Sequence, residues 1–252
     1  MVLLVAINGL HDLDEDRCEI RGREMDEDLL QIEVATCVRM LEYMGLIDFS
    51  GHVSARVPGT NTILINPYGK TRHVLGPEDI TRVSTDGESL EAGARLPLEI
   101  HIHISIYRRR PDVNAIAHLH SPAVIALSAA GKEYVPVIYH GAIFAARVPM
   151  YDDCTHVNTA EKGDSLAAIL GQGRAAIMRG HGAVVVAESV KGVFLGSVYL
   201  EDNAKVLLDA YKIGKPCVLR ENELQAGKRI WRKATFEKIW EYYQEKSGIS
   251  FS

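Results

Sequence analysis

Apolar positions Leu29, Ile32, Val34, Cys37, Val38, Leu41 and Met44 recur at helical spacing, and Gly45 stands where such a helix would end. Short β-type runs follow at 53–57 and 62–65, with Pro58-Gly59-Thr60-Asn61 as a hairpin turn between them. Asn66-Pro67-Tyr68-Gly69 reads as a further turn. Leu96-Pro97-Leu98-Glu99 opens a helix that runs to about Arg109, with Pro97 in its first turn and Pro111 beyond its end. The run ending in Ala117-His-Leu-His120 reads as a strand, and Ser121-Pro122 as the N-cap and first turn of another helix.

Beyond this point, residues 135–139 and 147–150 predict strands, and 159–171 predicts a helix. Strands are expected at 175–178 and 183–186, on either side of Arg179-Gly-His-Gly182. A long helix spans 189–212, ended by Gly214 and Pro216. A last amphipathic helix covers roughly 221–245 and includes Trp231 and Trp240. There is no internal repeat and no linker-like stretch. The expected organisation is an N-terminal arm, residues 1–25, followed by one α/β domain over 26–252.

Composition narrows the function. The 252 residues are 47% hydrophobic, enough for a large core without staples. A net charge of −5 argues against nucleic acid or an anionic membrane as partner. Cys18, Cys37, Cys154 and Cys217 are scattered, which favours free thiols in a reducing compartment over disulfides or a thiolate metal site. The apolar start lacks a basic flank and is too short to span a bilayer. A cytoplasmic protein is expected.

The chemistry concentrates in histidines. On a strand, His118 and His120 point to the same side and converge at its end. His101-Ile-His103 repeats the tripeptide, but on a helix residues two apart diverge by about 200°. His101 is therefore expected at the surface, whereas His103 lies one turn after Glu99 on the same face. His181, between Gly180 and Gly182, sits at a turn where the backbone can bend sharply and bring the ring close to another element; a structural turn is the competing reading. Glu99 is either a carboxylate favoured by a helix N-terminus or a general acid/base and ligand. Three imidazoles with a carboxylate or water suit Zn2+ or Mn2+, and Fe2+ also fits. No organic cofactor is required.

These residues resemble the class II aldolase/adducin family. The resemblance is carried by Gly51-His-Val-Ser54, Ile65-Asn-Pro-Tyr-Gly69, Glu99-x3-His103-x3-Tyr107-x3-Pro111-Asp112, Ala117-His-Leu-His120 and Gly180-His-Gly182, over roughly residues 28–212. It implies a three-layer α/β/α sandwich around a largely antiparallel sheet, and a homotetramer with active sites shared between subunits. It also implies that His118, His120 and His181 are metal ligands and that Glu99 is both ligand and acid/base. His140 falls where an aldolase of this family has a tyrosine lent by a neighbouring subunit, which makes it a candidate proton donor.

Departures from the sugar-phosphate aldolases bear on substrate. Those enzymes carry Gly-Asn-x-Ser, Thr-Gly and Ser-Ser where this chain has Gly51-His52, Tyr68-Gly69 and Pro97-Leu98. Several donors that a desolvated phosphate would need are thereby lost. The variant is similar to a branch that decarboxylates hydroxylated aromatic or heteroaromatic acids. The reading is a metal-dependent lyase releasing CO2 from a small carboxylate through a metal-stabilised enolate. His52, Ser54, Asn66, Tyr68, Gly69 and Arg72 are its substrate-binding candidates. Retro-aldol cleavage is the alternative, followed by an iron-dependent oxygenase and a non-catalytic adducin-like module.

Overall fold

A computed structural model describes the backbone of residues 8–251 and the side chains of residues 26–251. One seven-stranded sheet organises it, in the order β3-β2-β1-β4-β7-β6-β5. The strands are β1 (His52–Arg56), β2 (Thr62–Ile65), β3 (Thr81–Ser84), β4 (Ala115–Leu119), β5 (Met150–Tyr151), β6 (Ala175–Met178) and β7 (Gly182–Ala187). Every pairing is antiparallel except β5 with β6.

Alternation along the strands sorts the side chains into two layers. Val53, Ala55, Ala115, Ala117, Leu119, Ala183 and Val185 join a core shared with helices α1 (Asn8–Tyr43), α3 (Pro122–Ala129), α5 (Val190–Ile213) and α7 (Lys233–Ser247). The intervening residues Ile63, Ile65, Ile116, Val184 and Val186 pack on the other face against α2 (Ile100–Arg109) and α4 (Ala160–Leu170). The molecule is thus an α/β sandwich about a mostly antiparallel sheet. His52, Ser54 and His118 fall in register with the second set, so β1 and β4 turn them towards α2.

Several expected elements take a different form. The helix expected from Asp26 begins at Asn8; its N-terminal half has no apolar stripe and so gave no periodic signal. Of the expected arm, residues 1–7 lie outside the described residues. Strand β3 was not anticipated. The 135–139 segment is not a strand, because Asn203 on α5 takes its backbone bonds. The Asn203 carboxamide accepts from the N–H groups of Val137 and Ile138 and donates to the carbonyl of Val135. The expected strand at 147–150 is the two-residue β5, at its far end.

The helix expected from Leu96 starts only at Ile100, which makes Glu99 its N-cap residue, although the Glu99 side chain does not cap it. Ser121 likewise gives no cap to α3. Its hydroxyl donates to Glu201 of α5, and the Glu201 carboxylate accepts the N–H of Ala123 in its place. The C-terminal helix is two helices, α6 (Glu221–Gly227) and α7, broken where the Trp231 indole N–H turns to Glu188.

Candidate metal centre and adjoining cavity

Two strand ends and one helix start deliver the central residues. His118 is the next-to-last residue of β4 and His120 follows the strand, with its N–H donated to the carbonyl of Leu46. His181 lies in the tight turn from β6 to β7. Gly180 has φ +64°, so the turn itself favours glycine there, and a Cβ on Gly182 would stand 1.9 Å from the carbonyl oxygen of Leu119, so the approach of β7 to β4 demands the second glycine. Glu99 arrives from the opposite layer.

One ligand atom from each of Glu99, His118, His120 and His181 lies within 4.8 Å of the others. Glu99 Oε2 is 3.3 Å from His118 Nε2 and 3.6 Å from His181 Nε2. Its other oxygen accepts the Val157 N–H at 2.9 Å. Burial raises the Glu99 proton affinity; the Val157 N–H, and His118 and His181 when they are protonated, lower it, and the lowering outweighs burial.

The nitrogen atoms test whether this is a metal site. His118 Nδ1 is 3.2 Å from the Ala183 carbonyl, which fixes it as the N–H nitrogen and leaves a lone pair on Nε2. His120 Nδ1 is 3.3 Å from Asp48 Oδ1, with the same consequence. His118 Nε2, His120 Nε2 and His181 Nδ1 are buried without a hydrogen-bond partner among the described residues. Buried polar atoms are normally satisfied. On His118 and His120 these are lone pairs turned to the cluster, and His181 brings its Nε2 towards the same Glu99 carboxylate, a donor set suited to a divalent cation.

A cavity of about 460 Å3 opens beside Glu99, a size typical of small-molecule sites. His52, Tyr68, Gly69 and Arg72 line it, together with Phe49, Leu98 and Lys70. Ser54 and Asn66 do not. Ser54 bonds to His103 and Tyr107, and Asn66 accepts the Val53 N–H, so both stand behind the wall. Arg72 spends its terminal nitrogens on the carbonyls of Pro67, Lys70 and Gly51, and so contributes charge to the wall while holding the loop. His140 lies elsewhere in the chain, stacked on Tyr199 with ring centroids 4.1 Å apart.

His103 is buried against His52 and Ser54, while His101 is half-buried on the same helix. Burial, reinforced by His118, pushes the His103 pKa down to about 3. Sequence reasoning passed over Asp48 and His156. The His156 ring lies 5.8 Å from that of His181 and lines the cavity. Neither residue belongs to a periodic run or a motif, so only the folded chain discloses them.

The profile of the class II aldolase and adducin N-terminal domain matches residues 32–208, and the chain belongs to that family. A 3,4-dihydroxyphthalate decarboxylase of Rhodococcus jostii (strain RHA1) is 30% identical over 204 residues, covering 76% of this chain and 84% of that protein. A 5-deoxy-D-ribulose 1-phosphate aldolase of Bacillus thuringiensis serovar kurstaki is 26% identical over 175 residues, 69% of this chain and 82% of that one. An L-fuculose 1-phosphate aldolase structure from Glaciozyma antarctica PI12 superposes with a TM-score of 0.79 over 90% of this chain and 92% of that one. At 21% identity it speaks to the fold alone. Among the described residues, no helix is long and apolar enough to cross a membrane.

Proposed function

We propose that this chain is a divalent-metal-dependent carbon–carbon lyase that decarboxylates a hydroxylated aromatic, heteroaromatic or oxo acid. The observation that carries the reading is the cavity wall beside Glu99. Phe49, Tyr68 and Leu98 give it an apolar rim suited to a flat ring, and the His52 imidazole with the Arg72 charge gives it a side suited to a carboxylate. The likeness to a dihydroxyphthalate decarboxylase supports the same class. A divalent ion held by His118, His120, His181 and Glu99, whether zinc, manganese or ferrous iron, would supply Lewis acidity at the oxygen next to the bond that breaks.

The remaining work falls to side chains. His52 and the charge of Arg72 orient the carboxylate, and the apolar rim excludes water from the ring. Glu99, ionised and directed by the Val157 N–H, takes a proton from a substrate hydroxyl. The carbon that loses CO2 takes up one proton, delivered by Glu99 or, across a subunit boundary, by His140. That second route requires the homotetramer with shared sites, since His140 stacks on Tyr199 away from the cluster in its own subunit. We place the enzyme in the cytoplasm, in the breakdown of aromatic acids.

Aldol cleavage is the second reading. Ser50, Lys70 and Thr71 also line the cavity and can donate to an anion such as phosphate. Assaying hydroxy-aromatic dicarboxylates for CO2 release beside aldol donors such as dihydroxyacetone phosphate separates the two. Efficient aldol turnover with no CO2 from any acid would sink the decarboxylase.

A further inference from the structure

Behind the cavity wall, four buried side chains form an unbroken line. His52 Nδ1 stands 2.7 Å from His103 Nε2, His103 Nδ1 stands 2.6 Å from Ser54 Oγ, and Ser54 Oγ stands 2.8 Å from Tyr107 Oη. The members come from β1 and α2, facing across the sheet–helix interface. None is more than 4% exposed. Only the His52 end reaches the cavity.

The direction of the hydrogens along this line follows from counting donors. A 2.7 Å contact between two imidazole nitrogens holds one proton, so one ring donates and the other accepts. The hydroxyl of Tyr107 has one proton, and its one partner among the described residues is Ser54. If Tyr107 accepted from Ser54, its own hydrogen would be buried with no acceptor. Burial also keeps that phenol protonated, pushing its pKa above the ordinary value. Tyr107 therefore donates to Ser54, Ser54 donates to His103 Nδ1, and His103 Nε2–H donates to His52 Nδ1. A neutral His52 then carries its hydrogen on Nε2.

We propose that Ser54, His103 and Tyr107 are positioning residues that lock His52 as the Nε2–H tautomer, so that it presents a hydrogen-bond donor to an anionic oxygen of the substrate. The assignment of that oxygen to a carboxylate rests on the function proposed above; the tautomer does not. The line explains why a serine and a tyrosine that never reach the cavity stand in register with a histidine that does. It also separates His52 from its neighbour His118, 5.0 Å away between ring centroids. In His118 the proton sits on Nδ1 and the lone pair is left on Nε2.

Nitrogen NMR of histidine-labelled protein tests the lock without any substrate, with His52→Gln used to assign the signals. The expected result is a protonated Nε2 and an unprotonated Nδ1 on His52. In Ser54→Ala the bias is removed, so both His52 nitrogens move to averaged shifts, and Ser54→Thr restores the fixed form. With a turned-over carboxylate, Ser54→Ala raises KM about tenfold, changes kcat less, and leaves bound metal unchanged. A wild-type His52 protonated on Nδ1 overturns the proposal, and so does a tautomer indifferent to Ser54→Ala. Should Ser54→Ala fail to fold, the wild-type spectrum still decides. A locked tautomer in a protein that releases no CO2 from any acid would defeat the proposed function and leave the lock standing.

Discussion

Two groups of histidines meet back to back at the β1–β4 pairing, and they treat their nitrogens in opposite ways. His118, His120 and His181 each keep a buried ring nitrogen without a hydrogen-bond partner among the described residues. His52 and His103 spend theirs on each other and on Ser54, with Tyr107 closing the line. Residue type and neighbourhood are the same on both sides, although His120 and His181 are less deeply buried than His52 and His103. What differs is whether the lone pairs are consumed. A set with free lone pairs can accept an ion, while a set whose lone pairs are consumed can only donate, as His52 does from Nε2. Function here is read from the partners of the imidazoles more than from their number.

The hardest test of the open set is removal of a ligand. His118→Ala or His181→Ala is expected to cut bound metal from about one ion per chain to near none and to abolish turnover, checked by elemental analysis of purified protein. His103→Gln, on the closed side, should keep its metal. Equal metal loss in both would erase the distinction. The steric frame comes next. Gly182→Ala places a methyl against the Leu119 carbonyl and should destabilise the protein by about 3 kcal/mol or more in urea unfolding. Gly45→Ala serves as a control, because nothing lies within 4 Å of its Cβ position, although its φ of +68° carries a smaller strain.

Acid should expose the closed set. The folded pKa of His103 is about 3, against an ordinary value of 6.5. The unfolded chain therefore binds this proton first as pH falls. The His103 contribution to stability is complete above about pH 6.5 and is lost progressively towards pH 3, on the order of a few kcal/mol in total. Urea unfolding of chelator-treated protein at pH 7 and pH 5 checks this, with His103→Gln expected to flatten the slope. An equally steep slope in the variant would place the proton elsewhere.

How much of this was legible in the sequence depends on whether a residue's role is local. The strand that carries His118 and ends just before His120 could be read from its short apolar and β-branched residues, and Gly180-His-Gly182 from its glycines. The α/β/α sandwich and the full set Glu99, His118, His120 and His181 came from a resemblance spread over five motifs. Roles set by distant partners stayed hidden. Residues 135–139 look like a strand until Asn203, more than sixty positions on, claims their backbone groups. Ser121 looks like an N-cap until Glu201 replaces it. Ser54 and Asn66 sit in a motif that suggests substrate contact, yet they stand behind the wall. Asp48 and His156 carry no pattern at all.

Asp48 offers the finest test of the comparison, because His118 in β4 and His120 just beyond it, both proposed ligands, are oriented by partners of different kinds. The Ala183 carbonyl behind His118 belongs to the sheet ladder and no side-chain change removes it. The Asp48 carboxylate behind His120 is about half exposed, with solvent able to replace it. Asp48→Ala is therefore expected to weaken metal binding by about tenfold at most, the low end for an orienting partner. Asp48→Asn should recover most of that loss by keeping an oxygen acceptor for His120 Nδ1–H. Competition of the purified variants against a chelator measures both. A loss as deep as that of His118→Ala would mean that the orientation of His120 depends on Asp48 alone, and that the open set is held as tightly from outside as the closed set is from within.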